Sequence, residues 1–99
     1  MMKVIDTLHE LNGRTKHAER KFVDDKYDVI QIQMEENEEI TEHHAREETF
    51  IIVRDGKVEF DIEGEKVILT NEKLLQMEPY EKHSLKAIEK TDLILLKIK

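Results

Sequence analysis

The chain has 99 residues, no cysteine, and a formal charge of −7 from 23 acidic against 16 basic side chains. That length allows one domain around one core, and the missing cysteine excludes a disulfide framework and a thiolate metal site. Lysines and arginines are dispersed among acids, which excludes the clustered positive face that a nucleic-acid partner requires, so the charge reads as a solvated surface.

In chain order, residues 4–11 (VIDTLHEL) set Val4, Ile5, Leu8 and Leu11 at i, i+3, i+4 and i+7, and Asn12-Gly13 follows as a stop. The spacing predicts a short amphipathic helix that must dock to survive. This start lacks the continuous apolar run of a signal peptide, and no later stretch approaches the roughly 20 apolar residues of a membrane span. A cytoplasmic protein without a membrane partner is expected. The polar stretch RTKHAERKFVDDKYD predicts an edge strand or an arm that turns near Asp24-Asp25. With the helix it makes an N-terminal unit, residues 1–26, that packs on the rest of the chain or on a dimer partner.

From Tyr27 the period becomes two. Ile30, Ile32 and Met34 alternate with Gln31 and Gln33 in a half-buried strand that ends at an acidic turn around Asn37. The Glu-rich run EENEEITE reads as that solvated turn. Next, TFIIVRDGKVEFDIEGEKVIL predicts three strands joined at Asp55-Gly56 and Glu63-Gly64, two hairpins in series, because each X-Gly pair supplies the positive φ of a tight turn. Leu75 and Met77 mark a short strand, Pro79 a loop, His83, Leu85 and Ala87 another strand, and Leu93 to Ile98 the last. Short strands spaced by about 8–12 residues predict an all-β sandwich or small barrel.

Two segments carry a resemblance. EHHAREETFIIVRDGKVEFDIEG and NEKLLQMEPYEKHSLKA are similar, in order and spacing, to the two motifs of the small single-domain cupins. The resemblance spans roughly residues 27 to 98 and implies a jelly-roll β-barrel, or double-stranded β-helix, over residues 27–99. Counted back from Gly56, the family's first metal-binding His falls on His43, its second on Ala45 and its Glu on Thr49. His83 matches the last ligand, and the Gly, Pro and Gly positions of the second motif hold Glu72, Glu78 and Tyr80.

A site for Zn, Fe, Mn or Ni wants three or four donors converging at about 2.0–2.2 Å. The resemblance supplies His43 and His83. His44 or Glu48 joins them only if a bulge or irregular turn in HHAREE reorients the chain, since neighbours on a regular strand face opposite sides. Two readings stand. In one, a small barrel binds a small molecule, with or without a divalent metal ion, in a pocket lined by His43, His83, Thr49, Ile51, Phe60, Met77 and Leu85. In the other, it is a metal-dependent dioxygenase- or isomerase-like enzyme that uses His43 and His83 as ligands, completed by His44 or Glu48. His9 and His17 read as surface residues.

Other chemistries find little support. All three glycines are explained by turns, so there is no phosphate loop. The single serine, Ser84, faces away from His83 on a strand, and the carboxylates show no acid–base spacing. A homodimer is expected, because a small jelly roll leaves strand edges to cover and because the resemblance implies one.

Overall fold

The turn chemistry and the two-residue alternation build an all-β protein. The computed structural model describes residues 1–99 apart from the side chain of His43. Among the described residues there are nine strands: β1 (Lys16–Val23), β2 (Tyr27–Met34), β3 (Glu39–His43), β4 (Glu48–Asp55), β5 (Val58–Ile62), β6 (Glu65–Leu69), β7 (Leu74–Met77), β8 (His83–Ala87) and β9 (Thr91–Ile98). They form a five-stranded sheet, β1-β2-β9-β4-β7, facing a four-stranded sheet, β3-β8-β5-β6. This is the jelly-roll arrangement that the resemblance implied.

The alternation decides what lies between the sheets. Ile32 and Met34 of β2, Ile51 and Val53 of β4, and Leu93 and Leu95 of β9 point inward from one sheet. Val58 and Phe60 of β5, Leu69 of β6, and Leu85 and Ala87 of β8 meet them from the other. Each large side chain withdrawn from water contributes about 1.5–3 kcal/mol, so this shared core holds the two sheets face to face.

Two turns are closed as their residues dictate. Asp24 Oδ1 accepts hydrogen bonds from the backbone N–H of Lys26 (2.8 Å) and Tyr27 (2.9 Å), which closes the β1–β2 hairpin and holds this carboxyl below its ordinary range. Glu63-Gly64, with φ of 52° and 87°, closes the β5–β6 hairpin.

The structure corrects three expectations. Asp55-Gly56 is not a hairpin: β4 pairs with β7 and β9, β5 pairs with β6 and β8, and the chain crosses here from one sheet to the other. Gly56 is needed for more than its φ of 92°, because a Cβ there would overlap the Lys90 carbonyl oxygen and lie 2.8 Å from Thr91 Cα. The acidic run after Asn37 is not all turn, since residues 39–43 form β3 and pair with β8.

Residues 4–11 are not helical. Eight residues are too few to offset helix nucleation, and the sheet takes their polar groups instead. Arg54 Nη2 donates to the Thr7 carbonyl (2.8 Å), while Gln31 and Gln33 both donate to the Leu8 carbonyl (3.0 and 3.1 Å). Of the predicted apolar stripe only Leu11 is buried, and Val4 is 82% exposed. Residues 16–23 join the larger sheet as its edge strand, paired along β2.

Candidate functional site

Inward-facing positions leave a hollow of about 220 Å³ between the sheets. Its walls are hydrocarbon: Ile30 and Ile32 from β2, Ile51 from β4, Phe60 from β5, Leu85 from β8 and Leu95 from β9. Two polar side chains reach it, His83 at the start of β8 and Lys97 near the end of β9. A second hollow, lined by Lys16, His17, Ala18, Ile32, Ile40 and Thr41, shares Ala18, Ile32 and Ile40 with the first. The cavity therefore opens sideways, where the edge strands β1 and β3 of the two sheets face each other without a hydrogen-bonded ladder. Lys16 crosses that seam to donate to the Glu39 carbonyl at 2.8 Å.

His83 is 4% exposed, and its Nδ1 lies 3.0 Å from the Glu81 carbonyl oxygen. A carbonyl only accepts, so Nδ1 carries a proton. Opposite it in the ladder stands His43. The β3–β8 register steps from Ile40↔Leu85 to His43↔His83, three residues on β3 against two on β8, and this irregularity puts His43 rather than Glu42 across from His83. The His43 side chain lies outside the described residues.

The remaining predicted positions separate. His44 is exposed, with its ring 6.3 Å from that of Tyr80. Glu48 precedes the inward Thr49 on β4, so alternation turns it to the outer face, where it accepts a hydrogen bond from Gln76 (2.7 Å). The bulge in β3 ends before these residues and does not reorient them. Ile51, Phe60 and Leu85 line the cavity; Thr49 and Met77 are buried cross-strand partners beside it. Among the described residues no three His, Cys, Asp or Glu side chains form a group able to hold a metal ion.

The sequence reading missed Lys97, which sits in the apolar run DLILLKIK. The signal was present: Leu93, Leu95 and Lys97 share one face of β9, and only the assumption that lysine faces water hid it.

A polar cluster on the outer face of the larger sheet also went unread. Asp92 is wholly buried there. Its Oδ1 accepts from Arg54 Nε (2.9 Å), and its Oδ2 accepts from Arg54 Nη2 (2.7 Å), Gln31 (3.0 Å) and Gln33 (3.1 Å). Burial pushes the Asp92 carboxyl up, but the hydrogen bonds and charge of Arg54 together with the two glutamine amides outweigh it and hold the group below the usual carboxylate range. His9 is exposed, as expected, and its Nδ1 comes within 3.9 Å of Asp92 Oδ2 at the margin of this cluster. The cluster fastens the N-terminal arm and lies on the opposite face of the sheet from the cavity.

Comparison with known proteins decides the family. The Cupin_2 model of the cupin domain matches residues 29–99. The chain belongs to the cupin family. Among solved structures, this cupin is similar to an RmlC-like cupin from Desulfovibrio desulfuricans, with 16% identity over 99% of this chain and 97% of that one and a TM-score of 0.86. An RmlC-like cupin with a double-stranded β-helix fold from Methanocaldococcus jannaschii shares 14% identity over 99% and 91% of the two chains, TM-score 0.85. A conserved protein of unknown function from Streptococcus pyogenes shares 15% identity over 99% and 96%, TM-score 0.82. Likeness at these identities shows the fold. No curated protein matches the chain. No helix is long and apolar enough to cross a membrane.

Proposed function

We propose that this cupin is a binding module that takes a small molecule into the cavity between its sheets. The observation that carries the reading is the cavity itself: about 220 Å³ walled by Ile30, Ile32, Ile51, Phe60, Leu85 and Leu95, with polar groups at two positions. An apolar hollow with a few placed polar groups is the form that small-molecule sites take. A cytoplasmic setting belongs to the same reading, supported by a sequence without cysteine.

A second reading, a metal-dependent enzyme of dioxygenase or isomerase type, draws on one observation, the register that sets His43 across from His83. In that reading the two imidazoles hold a divalent ion such as Zn, Fe, Mn or Ni, whose open positions would polarise a bound substrate. One experiment separates the two. Untagged protein is analysed for metal and titrated with small apolar compounds while its isoleucine and leucine methyl resonances are followed. Cavity methyls that shift in metal-free protein support the binding module. Stoichiometric metal that disappears in His43→Ala and His83→Ala supports the enzyme and removes the metal-free form of the first reading.

The protein is also proposed to be a homodimer. Support comes from the outer face of the larger sheet, where Ile52 (38% exposed), Leu74 (68%) and Ile98 (39%) accompany Phe50, Ile94 and Leu96 on neighbouring strands. Ile52 pairs with both Leu74 and Ile94, so the patch is continuous across three strands. Light scattering is expected to return twice the 11.8 kDa chain mass, and Ile52→Glu with Leu74→Glu to return the single mass. A monomeric wild-type protein would end the proposal.

A further inference from the structure

We propose that Lys97 makes the cavity selective for an organic anion: a compact, largely apolar molecule bearing one carboxylate. The inference rests on the cavity being the binding site and adds the chemical class of its ligand. Three observations carry it.

The first is position. Lys97 follows Leu93 and Leu95 on the inward face of β9 and lines the cavity from there, half-buried, across from walls of isoleucine, leucine and phenylalanine. A lysine stem suits such a wall, but its ammonium does not.

The second is that the neighbouring carboxylate is already engaged. Asp28, the register partner of Lys97 on β2, is 7% exposed and is held by Lys99, whose Nζ lies 2.8 Å from Asp28 Oδ1. That ion pair satisfies an oxygen which otherwise has no hydrogen bond among the described residues. Lys97 itself makes no ion pair among the described residues, although the chain carries 23 acidic side chains. A half-buried lysine at the wall of an apolar cavity, with no ion pair among the described residues, favours an anion brought by a ligand.

The third is size and chemistry. The volume equals roughly seven liquid-water volumes, room for one ring or a short branched chain beside a carboxylate. Hydrocarbon walls disfavour a polyhydroxylated body, whose hydroxyls would lose water without finding partners. His83 lines the same cavity.

The test uses benzoate, its neutral isostere benzamide, and benzylamine, titrated into the full chain while cavity methyl and backbone amide resonances are followed. Benzoate is expected to bind about tenfold or more tightly than benzamide, with benzylamine weakest. In Lys97→Met that preference should collapse while benzamide affinity stays within about twofold, and Lys97→Arg should keep it. The amide spectrum of each variant reports that it is folded. Equal affinity for benzoate and benzamide in the wild-type protein, or a preference that survives Lys97→Met, would overturn the assignment and leave the cavity reading standing. No shift at the cavity methyls with any of the three probes would end both.

Discussion

Asp92→Ala is expected to cost the fold about 3 kcal/mol, the loss typical when one partner of a buried charge network is removed. The carboxylate collects two hydrogen bonds from Arg54 and one each from Gln31 and Gln33, so its removal leaves each of the two buried amides one acceptor short, with only the Leu8 carbonyl remaining, and the guanidinium without its counter-ion. Arg54 and the glutamines also hold the Thr7 and Leu8 carbonyls, so hydrogen exchange over residues 4–11 should rise before the rest of the sheet responds. Asp92→Asn keeps the shape and removes the charge, and should fall between the variant and the wild type. Acid supplies an independent check. A carboxylate whose pKa is depressed by folding stabilises the protein above its unfolded pKa of about 3.9, and that contribution is lost as pH falls through the lower folded value. Wild-type stability should therefore decline below about pH 4 more steeply than that of Asp92→Asn. Chemical denaturation across this range measures both, and equal slopes would remove the electrostatic role given to Asp92.

Gly56→Ala is expected to be comparably severe. At a φ of 92° an L side chain is strained by about 1–2 kcal/mol, and the added Cβ meets backbone, the Lys90 carbonyl, rather than a side chain that could swing aside. The Lys90 region cannot retreat without loss. Ile88 and Glu89 donate their N–H groups to the Lys57 carbonyl (2.9 and 3.2 Å), and the Thr91 hydroxyl lies within hydrogen-bond reach of both the Lys57 and Glu89 carbonyls. A total of about 3 kcal/mol or more follows if that stitching breaks. Gly13→Ala and Gly64→Ala, which also sit at positive φ but meet nothing within 4 Å, should show only the conformational strain. Thermal unfolding of the three variants separates collision from strain, and equal losses in all three would mean that the sheet crossing tolerates the extra carbon.

How much of the molecule was legible follows from what each element depends on. β2, β5, β8 and β9 announced themselves because Ile30-Ile32-Met34, Val58-Phe60-Ile62, His83-Leu85-Ala87 and Leu93-Leu95 alternate in the chain as they do in the core. β3 stayed hidden because Glu39-Ile40-Thr41-Glu42 offers one apolar residue and a bulge, so its pairing with β8 comes from its partner rather than from its own pattern. The helical spacing in residues 4–11 was real but misleading. The groups that decide that segment, Gln31, Gln33 and Arg54, lie 23 to 47 residues away.

Sequence by itself determined the family, the jelly roll, the turns at Asp24 and Gly64, and most of the inward-facing side chains, because those features rest on φ preferences and on the two-residue period of a strand. Tertiary structure alone decided the contents of the cavity and the fate of the polar residues. It turned Glu48 to the outer face and set the His44 ring near that of Tyr80, made Lys97 and His83 lining residues of one cavity, and gathered Asp92 with partners 61, 59 and 38 residues distant. The reason is physical: an apolar side chain needs only to leave water, which a local pattern can express, whereas a buried charge or amide needs a particular partner, and that partner is chosen by the folded sheet.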